Sequence, residues 1–185
     1  MTAPDSKTIR DLNGTWTVNR SLSDDLSETL GAQGLSWITR KVLTSGGISL
    51  TITQNSVASP EPGASVIYQL CQEQTVTPGN FKSEDVYLLD GVERDQRTQA
   101  FGALLTSVKF VLIEEARDKE LAKRLRDGGV EEVIEEFSTS KRGGWSTLTT
   151  WAVENIGGER RFTQSSITEK SGKSVRARLV YDYSG

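Results

Sequence analysis

No histidine occurs in these 185 residues, and cysteine occurs once, as Cys71. That removes the usual general base near neutral pH, the commonest transition-metal ligand and every histidine-activated nucleophile. A lone cysteine also excludes an internal disulfide and points to a reducing compartment. The chemistry that remains is directional hydrogen bonding inside a shaped cavity. Tyr181, Tyr68 and Gln164 can polarise a ligand carbonyl, with Thr149 and Arg178 as further donors. Trp151, Phe162, Leu179 and Trp37 can supply stiff apolar wall, Trp37 from beside a portal. Glu131, Glu132, Glu135 and Glu136 flank Val133 and Ile134, but strand alternation leaves at most two of them on one face. Without histidine beside them, a solvated sheet edge is their expected role. No metal and no cofactor is expected.

These residues converge only if strands bring them together. Leu12 to Arg20 reads as a first strand, with Trp16 and Val18 on one face. Ser21 to Asp24 reads as a helix start, followed by Leu22, Leu26 and Leu30 at spacing four, and Gly31 and Gly34 as the stop. A second short helix is expected from Leu35 to Leu43, with Leu35, Ile38 and Val42 as its apolar side. From Ile48 the period falls to two. Strands are expected near Ile48 to Thr53, Ser65 to Val76 and Glu84 to Leu89, with turns at Pro60-Glu61-Pro62-Gly63, Pro78-Gly79-Asn80 and Asp90-Gly91. Residues 98–113 form a long apolar-rich segment. Glu114 to Arg126 predicts an inserted surface helix, with a lid over one barrel end as the alternative.

Four further strands follow: Val130 to Thr139, Trp145 to Glu154, Arg160 to Thr168 and Val175 to Tyr183. Short glycine-bearing connections make successive strands antiparallel. Alternation places Val175, Ala177, Leu179, Tyr181 and Tyr183 on the inward face of the last strand and sends Arg178 outward. Tyr68 and Leu70 share a face with Gln72, and Trp145, Thr147, Thr149 and Trp151 share another. The expectation is all-β: one antiparallel barrel of eight to ten strands, with a helix-turn-helix after the first strand and one inserted surface helix, forming a single domain.

A formal charge of −3 gives no electrostatic reason to bind nucleic acid or an anionic membrane. No run approaches the ~18 apolar residues of a membrane-spanning helix. The polar first residues suggest a cytoplasmic protein. The sequence does not decide between a monomer and a homodimer.

Leu12-Asn13-Gly14-Thr15-Trp16, then Asp24-Asp25, then Gly34-Leu35 running to Arg40-Lys41, resemble the front of the intracellular lipid-binding proteins. These are the fatty-acid-binding group of the calycin superfamily. Arg178-Leu179-Val180-Tyr181 is similar to that group's last strand, whose Arg-x-Tyr pair binds a ligand carboxylate, although here two residues separate the pair. The resemblance implies that Trp16 plugs the closed end beneath Arg176 or Arg178. Residues 21–40, 143–151 and 158–183 also resemble short fungal lipocalin-like proteins of natural-product pathways. Some of those act as cofactor-free cyclases, Diels–Alder catalysts among them.

Two functions follow from the resemblance. One is a cofactor-independent cyclase or isomerase that folds a hydrophobic small molecule in an apolar cavity of roughly 300–1,000 Å³. The other is a non-catalytic carrier for a lipid or terpenoid.

Overall fold

The computed structural model describes residues 2–58, 66–77 and 81–185. The expected turns at residues 60–63 and 78–80, and the strand start at Ser65, lie outside the described residues. Ten strands form one antiparallel sheet: β1 Gly14–Val18, β2 Gly47–Val57, β3 Ile67–Thr77, β4 Phe81–Leu88, β5 Arg94–Thr98, β6 Gly102–Leu112, β7 Glu132–Ser140, β8 Trp145–Ile156, β9 Glu159–Lys170 and β10 Lys173–Tyr183. Their order is β4-β3-β2-β1-β10-β9-β8-β7-β6-β5, a meander in which the first strand pairs with the last. The sheet curls until β4 and β5 approach each other. There Gln96 Nε2 donates to Asp85 Oδ1 at 3.0 Å in place of a ladder. The fold is the all-β, calycin-type barrel expected.

The Gly-Thr-Trp start is explained by crowding. Gly14 has φ +129°, and a Cβ there would lie 2.7 Å from Cε2 of Tyr183, so only glycine lets β1 pass that ring. Trp16, fully buried, then turns inward and donates Nε1–H to the Leu12 carbonyl at 2.8 Å. Its ring meets Tyr183 edge-on at 5.0 Å and Phe162 at 5.5 Å. It does plug the closed end, but with aromatic neighbours. Arg176 is turned outward to Asp118 instead, and Arg178 also lies on the outer surface.

The expected first helix is shorter than its leucine spacing suggests: α1 spans Ser27–Ala32. Residues 19–24 pair alongside β10 instead of coiling. Asn19 and Asp24 donate their backbone N–H groups to the Val180 and Arg178 carbonyls. In return Ser23 Oγ and Asp24 Oδ2 accept from Val180 N and Arg178 N. Their side chains compete with helix formation, as short polar residues do. The second helix, α2 Trp37–Ser45, is capped by Ser36 Oγ accepting from Thr39 N at 3.2 Å. Only Leu43 of α2 is buried; Trp37 and Ile38 are 64% and 70% exposed.

A single 3-10 turn at Ile113–Glu115 leads into α3, Lys119–Asp127. This helix is not a lid. Ala122 and Leu125 pack with Val111, Val133 and Ala152 in a small outer core on the barrel wall. Arg124 grips Glu154 at 2.5 Å, and Asp118 both caps the helix and pairs with Arg176 at 2.6 Å.

Candidate functional site

Side chains fill the closed half of the barrel. Trp151 and Phe162 cross at 5.8 Å, Phe162 stacks on Tyr181 at 5.2 Å, and Tyr87 meets Trp151 edge-on at 5.8 Å. Above this aromatic floor, beneath α1 and α2, lies a cavity of about 220 Å³. It is smaller than the cavity expected; its surface is mainly apolar, with several polar groups bordering it. Leu26, Leu30, Leu43 and Leu179 close its upper part, while Gln72, Gln74, Gln96 and Gln164 border it with Asp85, Glu136, Tyr87 and Tyr181. An outer cleft of about 360 Å³ shares Leu26, Leu43, Ile48 and Leu179 with it, so a thin apolar partition separates the two.

Tyr181, Gln164 and Leu179 reach the cavity because β9 and β10 turn those alternate positions inward. Tyr181 Oη donates to Gln164 Oε1 at 2.8 Å, and Gln164 Nε2 donates to Gln72 Oε1 at 3.4 Å. Trp151 and Phe162 lie in the aromatic layer beneath the cavity, behind Tyr87 and Tyr181, and do not border it themselves. Thr149 is on the inward face of β8, opposite Glu136 and Ser166, but does not border the cavity.

Three expected residues lie elsewhere. Tyr68 points inward at the closed end, where it packs edge-on to Phe110 at 5.2 Å beneath the Arg10 guanidinium. Trp37 stands on the outer side of α2, with the Lys41 ammonium 5.8 Å from its ring. Arg178 points outward because no bulge interrupts the β9–β10 ladder to rotate it. The Arg–Tyr carboxylate clamp of the resembled group therefore does not form.

Within the glutamate cluster Glu131 is exposed, as a solvated edge would be, but the other three are engaged. Glu132 pairs with Arg10 at 2.5 Å, and Glu135, only 3% exposed, accepts the Arg117 N–H at 2.6 Å. Glu136 enters the cavity. Its carboxyl opens onto that internal space yet is enclosed by protein, and its pKa rises from 4.5 to about 7. Burial is the main cause, with the nearby Asp85 charge second; Ser138 Oγ, donating to Oε1 at 3.3 Å, pulls the other way. The Trp151 indole N–H also favours the ionised form, although it completes no hydrogen bond. Burial likewise raises Asp85 and Tyr181, and raises Tyr87 well above the usual phenol value. Glu136, Asp85, Tyr87 and Gln72 escape sequence reasoning. Inward parity on β7 was the one available signal for Glu136.

Among the described residues, no cluster of three His, Cys, Asp or Glu side chains could hold a metal ion, and no helix is long and apolar enough to cross a membrane.

A meandering barrel, plugged by Trp16 and capped by a helix pair, is a calycin-type barrel fold. Solved structures share this fold. A REP1-NXSQ fatty acid transporter mutant aligns with TM-score 0.57 at 12% identity, over 94% of this chain and 98% of that one. The fluorescent protein UnaG aligns with TM-score 0.61 at 14% identity, over 94% and 97%. No family model matches the sequence. "Probable pericyclase scpY" of Mollisia scopiformis is 32% identical over 189 residues, covering all of this chain and 96% of that protein. "Pericyclase pydY" of an Acremonium species is 26% identical over 187 residues, covering 100% and 98%. The chain belongs to this family of fungal pericyclases.

Proposed function

We propose that this chain, acting as a single lipocalin-like domain, is a cofactor-independent pericyclase that folds a hydrophobic conjugated polyene into one reactive conformation inside the barrel. The observation that carries the reading is the full-length relationship to a named pericyclase, in a barrel that retains an internal cavity. A pericyclic ring closure moves electrons around a ring without net proton transfer, so a chain without histidine meets no obstacle. Holding two reacting ends in contact can supply ~7–11 kcal/mol of the barrier. Tyr181, stacked on Phe162 and backed by the edge-on Trp151, gives a rigid floor for that purpose.

Tyr181 acts through Gln164. Its proton is committed to the Gln164 carbonyl oxygen, which fixes the amide and leaves the Gln164 N–H facing Gln72 across a long 3.4 Å contact. A substrate oxygen that replaces this weak partner receives a pre-oriented donor. A polyene too long for the inner cavity extends between Leu26 and Leu43 into the outer cleft.

The carrier reading is weaker for a fatty acid. No lysine or arginine is among the described residues lining the cavity, whereas two carboxyl groups are. The experiment is ring closure of linear polyene precursors by the purified protein, followed by chiral chromatography. Acceleration with one stereoisomer dominant supports the proposal. An unchanged rate and product ratio contradict it.

A further inference from the structure

We propose that Glu136 donates a hydrogen bond from its neutral carboxyl group to a carbonyl oxygen conjugated with the substrate's electron-poor alkene. The substrate class is then a neutral, carbonyl-bearing polyene. This rests on the pericyclase reading.

Glu136 lies on β7 opposite Thr149 of β8 and Val108 of β6, with its carboxyl bordering the cavity. Ser138 is the one side chain in hydrogen-bond geometry with it among the described residues. Ser138 Oγ is itself engaged with Thr106 Oγ1 at 2.9 Å. Among the described residues, the titratable groups facing Glu136 are Asp85 and Tyr87 of β4 and, across the cavity, Tyr181 of β10; the side chains that β6, β8, β9 and the helical cap turn toward the cavity are uncharged. With no cation among the described residues lining the cavity to stabilise an anion, burial beside Asp85 keeps the Glu136 proton in place near neutrality. A neutral carboxyl is a donor.

Trp151, 1% exposed, lies beneath the cavity without bordering it, and its Nε1–H is turned toward the Glu136 carboxyl without completing a hydrogen bond. The Glu136 carboxyl O–H is therefore the donor that meets a ligand oxygen. A carboxylate ligand would instead meet Asp85 and any ionised Glu136 without a counter-charge.

Chemically, the hydrogen bond draws electron density from the conjugated alkene onto the carbonyl oxygen as the ring closes. The proton stays on Glu136, no bond to the protein forms, and no other reactant is consumed. A carboxylic acid kept neutral for donation is an established catalytic device.

The test uses 6-propionyl-2-(dimethylamino)naphthalene, a neutral ketone whose emission moves to the red when its carbonyl accepts a hydrogen bond. Bound to the native protein at pH 6, it should emit further to the red than when bound to Glu136→Leu. The native shift should fade by pH 8.5 as Glu136 ionises. Glu136→Gln should keep the shift at both pH values, because an amide donates without titrating. Should Glu136→Leu fail to fold, the contrast in pH response between the native protein and Glu136→Gln decides the matter alone. Native emission that is independent of pH, or equal to that of Glu136→Leu, overturns the proposal, as does failure of the ketone to bind. The probe undergoes no ring closure, so this result and that of the ring-closure assay are independent.

Discussion

Tyr181 and Gln164 are diagonal neighbours across the β9–β10 ladder: Leu179 stands opposite Gln164 and Phe162 opposite Tyr181, yet Tyr181 Oη reaches Gln164 Oε1 at 2.8 Å. The phenol is stacked on Phe162 and cannot follow a mobile ligand. Its role is to hold the amide so that the amide can bind.

Removing that hydroxyl should free Gln164 to rotate. A typical hydrogen bond contributes ~1 kcal/mol, so Tyr181→Phe should slow ring closure about fivefold. Arg178→Lys, on the outer surface, should leave the rate within about twofold. Steady-state kinetics on the two variants check this, and equal rates in both would remove Tyr181 from the account.

The partition between cavity and cleft gives a kinetic expectation. Leu43→Ala thins the wall that Leu43 shares with Leu26, so ligand uptake should accelerate several-fold while stability falls by ~2–3 kcal/mol. Stopped-flow tryptophan fluorescence reads the first and denaturant unfolding the second. Unchanged uptake would place the entrance elsewhere.

The position of α3 gives the opposite pattern. Leu125, 2% exposed, belongs to the outer core, so Leu125→Ala should cost ~2–5 kcal/mol of stability with kcat and KM unaltered at a temperature where the protein stays folded. A change in KM would restore the helix as a lid.

Glu136 links stability to pH. Its folded pKa of about 7 exceeds the ordinary 4.5, so the folded state holds the proton more tightly than the unfolded chain. The associated stability is fully present below the unfolded value and is lost as pH rises through the folded one, in all ~3 kcal/mol. The unfolding free energy should therefore fall between about pH 4.5 and 7 and then level off. Glu136→Gln should flatten that decline, as urea titrations across this range will show. The same slope in both proteins would mean that Glu136 is not the group responsible.

The barrel was legible because alternation is a strong signal where one face is buried. It placed Tyr181 and Leu179 inward and Arg178 outward against the resembled clamp, and the ladder shows that alternation prevails. Leu22, Leu26 and Leu30 misled because spacing along the chain does not reveal that Ser23 and Asp24 will bond to β10. Tyr68 has the right parity but the wrong depth, and depth depends on where the barrel closes. Glu136 was hidden for a related reason. In sequence it is one half of the Glu135-Glu136 doublet, while the groups that shift its proton, Asp85 and Trp151, come from strands 51 and 15 positions away. Burial of a charge is set by such distant partners.

The most direct measurement is the rate of ring closure of a linear carbonyl-bearing polyene by chelator-treated protein, native and with Leu179→Trp blocking the cavity. The account requires acceleration over the spontaneous reaction with a single stereoisomer formed, and a return to the spontaneous rate and mixture when the cavity is filled. Equal rates and products with native protein, blocked protein and buffer alone would contradict it.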